Sequence, residues 1–165
     1  MNLKNISYRQ FEDSDFQEVF LLFLKFQDKV KMRSYENLSK GTNETFYAGF
    51  LLTELKNIIK KNKYKYVGED KNGKIFGFAC FADSSFFENG IDLILVFKDE
   101  EINYTRIMGC LLAHIFKKEF PKKRIFATLN QREKFDKYVS FLQRKLNARI
   151  LKKDSFGQIY VEFIK

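Results

Sequence analysis

Hydrophobic residues recur at two spacings along this chain, and the spacing predicts where strands and helices lie. Apolar and polar residues alternate in "ISYRQF" (6–11), which is typical of a half-buried strand. Apolar residues at helical spacing follow, and we expect Ser14 to cap this helix, with Gln17 completing a capping box. A second amphipathic helix is predicted from about Glu44 to Lys61.

The rest of the chain alternates short apolar strands with single helices. "KYKYVGED" (63–70) and "KIFGFACF" (74–81) flank "KNG" and predict a β-hairpin, because glycine tolerates the positive φ of a tight turn. Asn147 is expected to end the last helix. The predicted order is strand, two helices, three strands, helix, strand, helix and two strands. The remaining predicted strands span 90–97, 124–129, 148–153 and 158–164, and the remaining helices span 103–118 and 132–146.

The composition fits one soluble domain covering residues 1–165. With 45% hydrophobic residues, a chain of this length can bury about two-thirds of its unfolded surface. The longest apolar stretch, "VFLLFLKF" (19–26), is short and contains Lys25, so no membrane span is predicted. The first residues have no apolar core of signal-peptide length, and we therefore expect a cytoplasmic protein.

The net charge of +9 favours anionic partners, namely cofactor phosphates, nucleic acid or acidic proteins. A solvated, lysine-rich surface explains the same charge equally well. The basic clusters at 60–66 and 117–124 are too short to define a nucleic-acid face. One histidine, His114, and two distant cysteines, Cys80 and Cys110, do not form a standard metal site, so no metal is expected.

The order of elements resembles that of the GCN5-related N-acetyltransferases (GNATs) over nearly the full chain. "ISYRQFEDSDF" is similar to the family's first strand and the acidic loop that leads into its first helix. "VGEDKNGKIFGFACF" resembles its central hairpin, and "LILVF" fits its fourth strand. The resemblance implies a single GNAT-like acyltransferase domain of the α/β (α+β) class. Its mixed, mostly antiparallel sheet would have about seven strands flanked by four helices.

The segment "RIMGCL" resembles the part of the family that receives acetyl-CoA. The family signature there is Gln or Arg, two residues, Gly, one residue, then Gly or Ala. Arg106 and Gly109 match it, whereas Leu111 stands at the third fixed position, where we expect it to narrow the approach. Free N–H groups and the dipole at a helix start suit a pyrophosphate. The implied cofactor-binding residues here are Arg106, Ile107, Met108, Gly109, Cys110 and Leu111.

The resemblance implies direct transfer of an acetyl group from acetyl-CoA to a primary amine on a small molecule or a protein. Such a transfer needs a base, donors to the thioester oxygen and an acid for the leaving thiolate. Asp92 in the apolar strand is the candidate base, with Glu69 and Glu88 as rivals; alternatively, Asp92 forms a salt bridge at the strand entrance. Tyr138 is the candidate acid, or else an aromatic residue that packs its helix.

Backbone groups of the fourth strand complete the implied site. The family splays this strand from its neighbour, so the N–H groups of Leu95, Val96 and Phe97 are candidate oxyanion donors. Asn130 is a candidate hydrogen-bond partner of the pantetheine arm, or a turn residue. The acceptor is expected to be selected by residues 31–43.

The alternative function is a non-catalytic module of the same fold that binds an acidic protein or nucleic acid. Leu111 and the long loop between Val96 and Arg106 favour it. So does the last helix, where Leu142 stands near the position of the family's usual Tyr. An open gap between the fourth and fifth strands would favour the enzyme, and a filled groove would favour the module. The resemblance also implies that the final strands can pair across a homodimer.

Overall fold

The computed structural model describes residues 6–30, 44–99, 105–129, 135–155 and 157–164. Within these ranges, the side chains of 28–30, 44–46, 105–106 and 135–138 are outside the description. The strands are β1 (Ile6–Gln10), β2 (Tyr64–Asp70), β3 (Ile75–Asp83), β4 (Gly90–Lys98), β5 (Arg124–Leu129), β6 (Ala148–Lys153) and β7 (Ile159–Phe163). The helices are α1 (Phe16–Val30), α2 (Glu44–Lys61), α3 (Thr105–Lys118) and α4 (Phe135–Leu146), and a 3-10 turn spans Asp13–Asp15.

All seven strands form one sheet in the order β1-β2-β3-β4-β5-β7-β6. Every neighbouring pair is antiparallel except β4 and β5, which are parallel. The predicted fold class, a mixed and mostly antiparallel sheet of seven strands with four helices, is confirmed.

Helices pack on both faces of the sheet, but they cover the two faces unequally. On what we call the α1–α2 face, the buried core joins those two helices to side chains of β2, β3 and β4. On the opposite α3–α4 face, a larger core reaches from β2 to β7. No described helix residue joins β5, β6 or β7 to the core on the α1–α2 face.

An ion-pair network fixes the start of α1, and the capping box there joins Glu12 and Asp15 instead of the expected Ser14 and Gln17. Arg9 of β1 donates two hydrogen bonds of 2.7 Å to the carboxylate of Asp15, and its Nε donates to Glu69 Oε1 at 2.9 Å. The Glu12 N–H also donates to Asp15 Oδ2 at 2.8 Å. Ser14 therefore lies inside the 3-10 turn, and the predicted capping role for it is wrong.

Two predicted chain reversals have the expected backbone. Gly73 in the β2–β3 turn has φ of +78°, a value that favours glycine. Asn147, directly after α4, has φ of +50° and ends that helix as predicted. Both positions are followed by a strand that pairs antiparallel with a neighbour.

Candidate active site

The parallel strands β4 and β5 separate part of the way along their length. Their pairing runs from Gly90 opposite Arg124 to Leu93 opposite Ala127 and then stops. Both strands nevertheless continue, because β4 pairs with β3 as far as Lys98 and β5 pairs with β7 as far as Leu129. We call this divergence the fork.

A β-bulge in β4 accounts for the fork. Cys80 of β3 pairs with Leu95 and the next residue, Phe81, pairs with Leu93, so Ile94 is an extra residue on β4. A bulge bends its strand and increases the local twist, which turns β4 away from β5. Ile94 is 46% exposed although it lies in the middle of an interior strand, as expected for a residue beside a gap.

The alternation of backbone groups shows which amides of β4 face the fork. The Asp99 N–H donates to Phe76 O at 2.6 Å, on the β3 side. Because N–H groups alternate between the two edges of a strand, Leu95 and Phe97 also point towards β3. The amide of Val96 points towards the fork, and of the three predicted oxyanion donors it is the one in position to meet a ligand there.

Asp92 lies one residue before the fork. It pairs with Ala82 on one side and with Phe126 on the other. Its neighbour Ile91 packs into the α3–α4 core, so the Asp92 side chain lies on the opposite, α1–α2 face. Burial raises the pKa of the Asp92 carboxyl above its ordinary value, and a hydrogen bond from Ser84 partly offsets this rise. Among the described side chains, no Lys or Arg forms an ion pair with Asp92.

The first described turns of α3 lie over the open end of the fork on the α3–α4 face. Met108 Sδ is 3.0 Å from where a methyl group at Gly77 would stand, and Gly77 pairs with Lys98 at the end of β4. Leu111 packs against β2, where its Cδ2 is 2.8 Å from the corresponding position at Gly68. Its side chain points to the sheet, so the expected narrowing of the approach is not observed.

The packing around Gly109 leaves room for a small side chain, so packing does not explain why this position is a glycine. A methyl group there would lie 3.5 Å from Phe141 Cζ and 3.9 Å from Leu146 Cδ2 on α4, which is ordinary van der Waals contact. By contrast, a methyl group at Gly68 or Gly77 would come within 3.0 Å of a neighbouring side chain. Cys110, next along α3, is exposed.

For the other predicted site residues, the roles remain predictions. Arg106 lies in the first turn of α3 and Tyr138 in α4, but their side chains are outside the description. Asn130 and the acceptor segment 31–43 fall outside the described residues. The rival base Glu69 is bound to Arg9, whereas Glu88 lies in the loop between β3 and β4.

Sequence reasoning missed an aromatic and charged group next to Asp92 on the α1–α2 face. The rings of Phe87 and Phe126 stack with centroids 4.1 Å apart, and we call this pair the aromatic platform. The Arg124 guanidinium carbon lies 5.0 Å from the Phe126 centroid and 5.6 Å from the Phe87 centroid. Glu162 accepts hydrogen bonds from Arg124 Nε at 2.8 Å and Arg149 Nη2 at 2.7 Å. The strand register brings these residues together, so no local motif indicates them.

The described part of the chain contains neither a membrane-spanning helix nor a cluster of metal-binding side chains. No helix there is long and apolar enough to cross a membrane. No group of three or more His, Cys, Asp and Glu side chains in the same ranges is placed to hold a metal ion.

Comparison with known proteins identifies the fold through structure alone. No family model matches the sequence, and no curated protein matches it. Among solved structures, the chain is similar to the PaiA N-acetyltransferase of Thermoplasma acidophilum, solved in complex with coenzyme A. The TM-score is 0.65 at 13% identity, with coverage of 97% of this chain and 99% of that one.

Two further similar structures carry the names of different acceptors. One is the ribosomal-protein-S5-alanine acetyltransferase of Vibrio fischeri, with a TM-score of 0.61 at 16% identity over 99% of this chain and 95% of that one. The other is a mutant of the spermidine N-acetyltransferase SpeG of Vibrio cholerae, with a TM-score of 0.61 at 10% identity over 98% and 94%. The chain therefore has the GNAT fold, as its sequence predicts.

Proposed function

We propose that this protein transfers an acetyl group from acetyl-CoA to a primary amine on a small molecule or a protein. The observation that carries the proposal is the fork, where two parallel strands stop pairing at Leu93 and Ala127 while both continue. A gap inside a sheet leaves backbone hydrogen-bonding groups without strand partners, and such groups can bind the amide-containing arm of a cofactor. The divergence favours the enzyme over the non-catalytic module.

The start of α3 is the proposed phosphate site. The first N–H groups of a helix have no intrahelical partner, and the helix dipole adds positive potential. In our proposal, Arg106 supplies further positive charge and Gly109 lets a phosphate approach the backbone. Contacts from Ile107, Met108 and Leu111 would be made through the backbone, because their side chains are buried against the sheet.

The proposed chemistry uses the groups beside the fork. Acetyl-CoA supplies the acetyl group as a thioester. The Val96 N–H donates a hydrogen bond to the thioester oxygen, on which charge builds during attack. Asp92 accepts the proton that the ammonium group of the acceptor must lose, directly or through a water molecule. Its raised pKa makes it a stronger base than an exposed aspartate. Tyr138 is the candidate donor of a proton to the leaving thiolate.

Titration of the purified protein with acetyl-CoA tests the proposal. We expect saturable heat by calorimetry and a rise in Tm at millimolar ligand, because a ligand that binds the folded state stabilises it. Arg106→Glu should weaken binding, since it places a carboxylate at the phosphate site. Lys117→Glu is the matched control, because it makes the same charge change at an exposed residue at the other end of α3. Absence of both heat and thermal shift would count against cofactor binding. Equal affinity of Arg106→Glu and Lys117→Glu for acetyl-CoA would show that the phosphates bind somewhere other than the start of α3.

A further inference from the structure

The half of the α1–α2 face that lacks a described helix is a candidate surface for the acceptor of the acetyl transfer proposed above. Side chains alternate along a strand, and Ile125 and Ala127 of β5 pack into the opposite core. Phe126 therefore belongs to the α1–α2 face, where its cross-strand partner is Glu162. Asp92 pairs with Phe126 from the other side, so this surface begins at the candidate base.

The aromatic platform leaves one ring face available. Gly90 seats the Phe126 ring, because a methyl group at Gly90 would lie 3.0 Å from Phe126 Cε2. Phe87 stacks on Phe126 with an angle of 16° between the rings. The Arg124 guanidinium carbon is 5.0 Å from the Phe126 centroid and 5.6 Å from the Phe87 centroid, so it lies on the side of Phe87 that faces Phe126 and leaves the far face of Phe87 uncovered. Phe87 remains 37% exposed.

The far side of the platform carries an excess of positive charge. Arg124 and Arg149 share the single carboxylate of Glu162, whose pKa is lowered chiefly by Arg124, so Glu162 stays ionised at neutral pH. The Glu162 side chain is only 8% exposed, whereas the arginine side chains are 50% and 62% exposed. The N–H groups that Glu162 does not use can therefore bind a second anion.

The positions of Asp92 and Arg124 on either side of the aromatic platform indicate which kind of ligand fits this surface. Arg124 and Phe126 are two residues apart on β5, which corresponds to about 7 Å along the strand. Asp92 pairs with Phe126, so a ligand that crosses the platform meets a carboxylate at the Asp92 end and, at the other end, the Arg124 guanidinium that shares Glu162 with Arg149. The Phe87 ring lies between them and favours an apolar chain.

We propose that the acceptor is an ω-amino carboxylate, in which a primary amine is joined to a carboxylate by an unbranched methylene chain. The ammonium group binds next to Asp92, the chain packs on Phe87, and the carboxylate accepts hydrogen bonds from Arg124 and Arg149. During transfer the amine nitrogen bonds to the acetyl carbon and the carbon–sulfur bond breaks. The ammonium loses two protons through Asp92, the thiolate takes up one proton from Tyr138, and Tyr138 regains a proton, so one proton is released to solvent overall. A diamine is disfavoured, because its second ammonium would face the arginines.

Three acceptors of matched length test this proposal: 6-aminohexanoate, hexylamine and 1,6-diaminohexane. Thiol release from acetyl-CoA gives kcat/KM for each. We expect kcat/KM to be about tenfold or more higher for 6-aminohexanoate than for hexylamine, which is the size of one charge-assisted hydrogen bond. The diamine should be the poorest of the three. Arg149→Gln should bring the ratio of 6-aminohexanoate to hexylamine towards one. Arg144→Gln, which removes an exposed arginine from α4, should leave the ratio unchanged.

The failure of this proposal differs from the failure of the proposed function. Equal or better use of hexylamine or the diamine overturns the ω-amino carboxylate and leaves the acetyltransferase intact. No turnover with any of the three, in a protein that binds acetyl-CoA, overturns this acceptor class alone. Loss of acetyl-CoA binding itself would overturn the function on which both rest. Calorimetry of 6-aminohexanoate in the presence of CoA adds a readout without turnover, and unchanged affinity in Arg149→Gln would contradict the arginine contact.

Discussion

Gly109→Ala should make the protein more stable and a weaker binder of acetyl-CoA. Gly109 lies inside α3 with no positive φ, and a methyl group there would make ordinary contacts at 3.5 and 3.9 Å with α4. Alanine in a helix interior is favoured over glycine by about 1 kcal/mol. In a chain of this size, that gain corresponds to a rise in Tm of about 2–4 °C. In our proposal a phosphate approaches the backbone at Gly109, so the added methyl group should also raise the Kd for acetyl-CoA.

Gly49→Ala provides the control. Gly49 lies inside α2 and has no neighbouring atom within 4 Å of the position that a methyl group would take. This substitution should raise Tm by a similar amount and leave the Kd unchanged. Thermal denaturation and calorimetry on the three proteins measure both quantities. A Gly109→Ala protein with higher Tm and unaltered Kd would refute a ligand-based role for this glycine. A lower Tm would refute the packing argument.

Three further substitutions test other parts of the account. Asp92→Asn should lower kcat about 100-fold or more, the usual contribution of a general base. In the unsubstituted protein kcat should fall as pH drops through the raised pKa of Asp92, and the variant should lose this acidic limb of its pH–rate profile. Asp15→Asn should lower the free energy of unfolding by about 2 kcal/mol, because it breaks the paired bonds to Arg9. Arg9 lowers the pKa of Asp15 in the folded state. This stabilisation is therefore complete above the unfolded pKa of about 4 and is lost as the pH falls below it. Denaturation at several pH values should show that the difference in unfolding free energy between the unsubstituted protein and Asp15→Asn shrinks in acid. Gly68→Ala should destabilise by about 1–3 kcal/mol in urea denaturation, because the new methyl group would lie 2.8 Å from Leu111 Cδ2.

Local signals were sufficient for most elements of the fold. The helix from Glu44 to Lys61 and the strand 124–129 have the predicted bounds. The turn at Gly73 has the positive φ that "KNG" predicts. Each of these depends on residues close together in the sequence, which a pattern of apolar spacing and turn residues captures. The capping prediction at Ser14 failed because Glu12 is the cap and Asp15, held by Arg9 of the preceding strand, accepts the Glu12 N–H.

Only part of the candidate site could be predicted from the sequence, because the register of the strands brings its residues together. Asp92 could be selected as a carboxylate within an apolar strand. The fork beside it, however, depends on an extra residue, Ile94, and no composition signal marks that bulge. Phe87, Phe126 and Glu162 come from three separate segments that become neighbours through the β4–β5 and β5–β7 pairings.

The central claim is that the fork receives the acetyl-bearing arm of the cofactor. Residue-resolved amide NMR during titration with acetyl-CoA tests it most directly. The account predicts that the Val96 and Lys98 amides shift and become protected from hydrogen exchange, because their N–H groups face the fork. The amides of Leu95 and Phe97, which point towards β3, should change much less. Saturable binding of acetyl-CoA that leaves the Val96 and Lys98 amides unaltered would contradict the account.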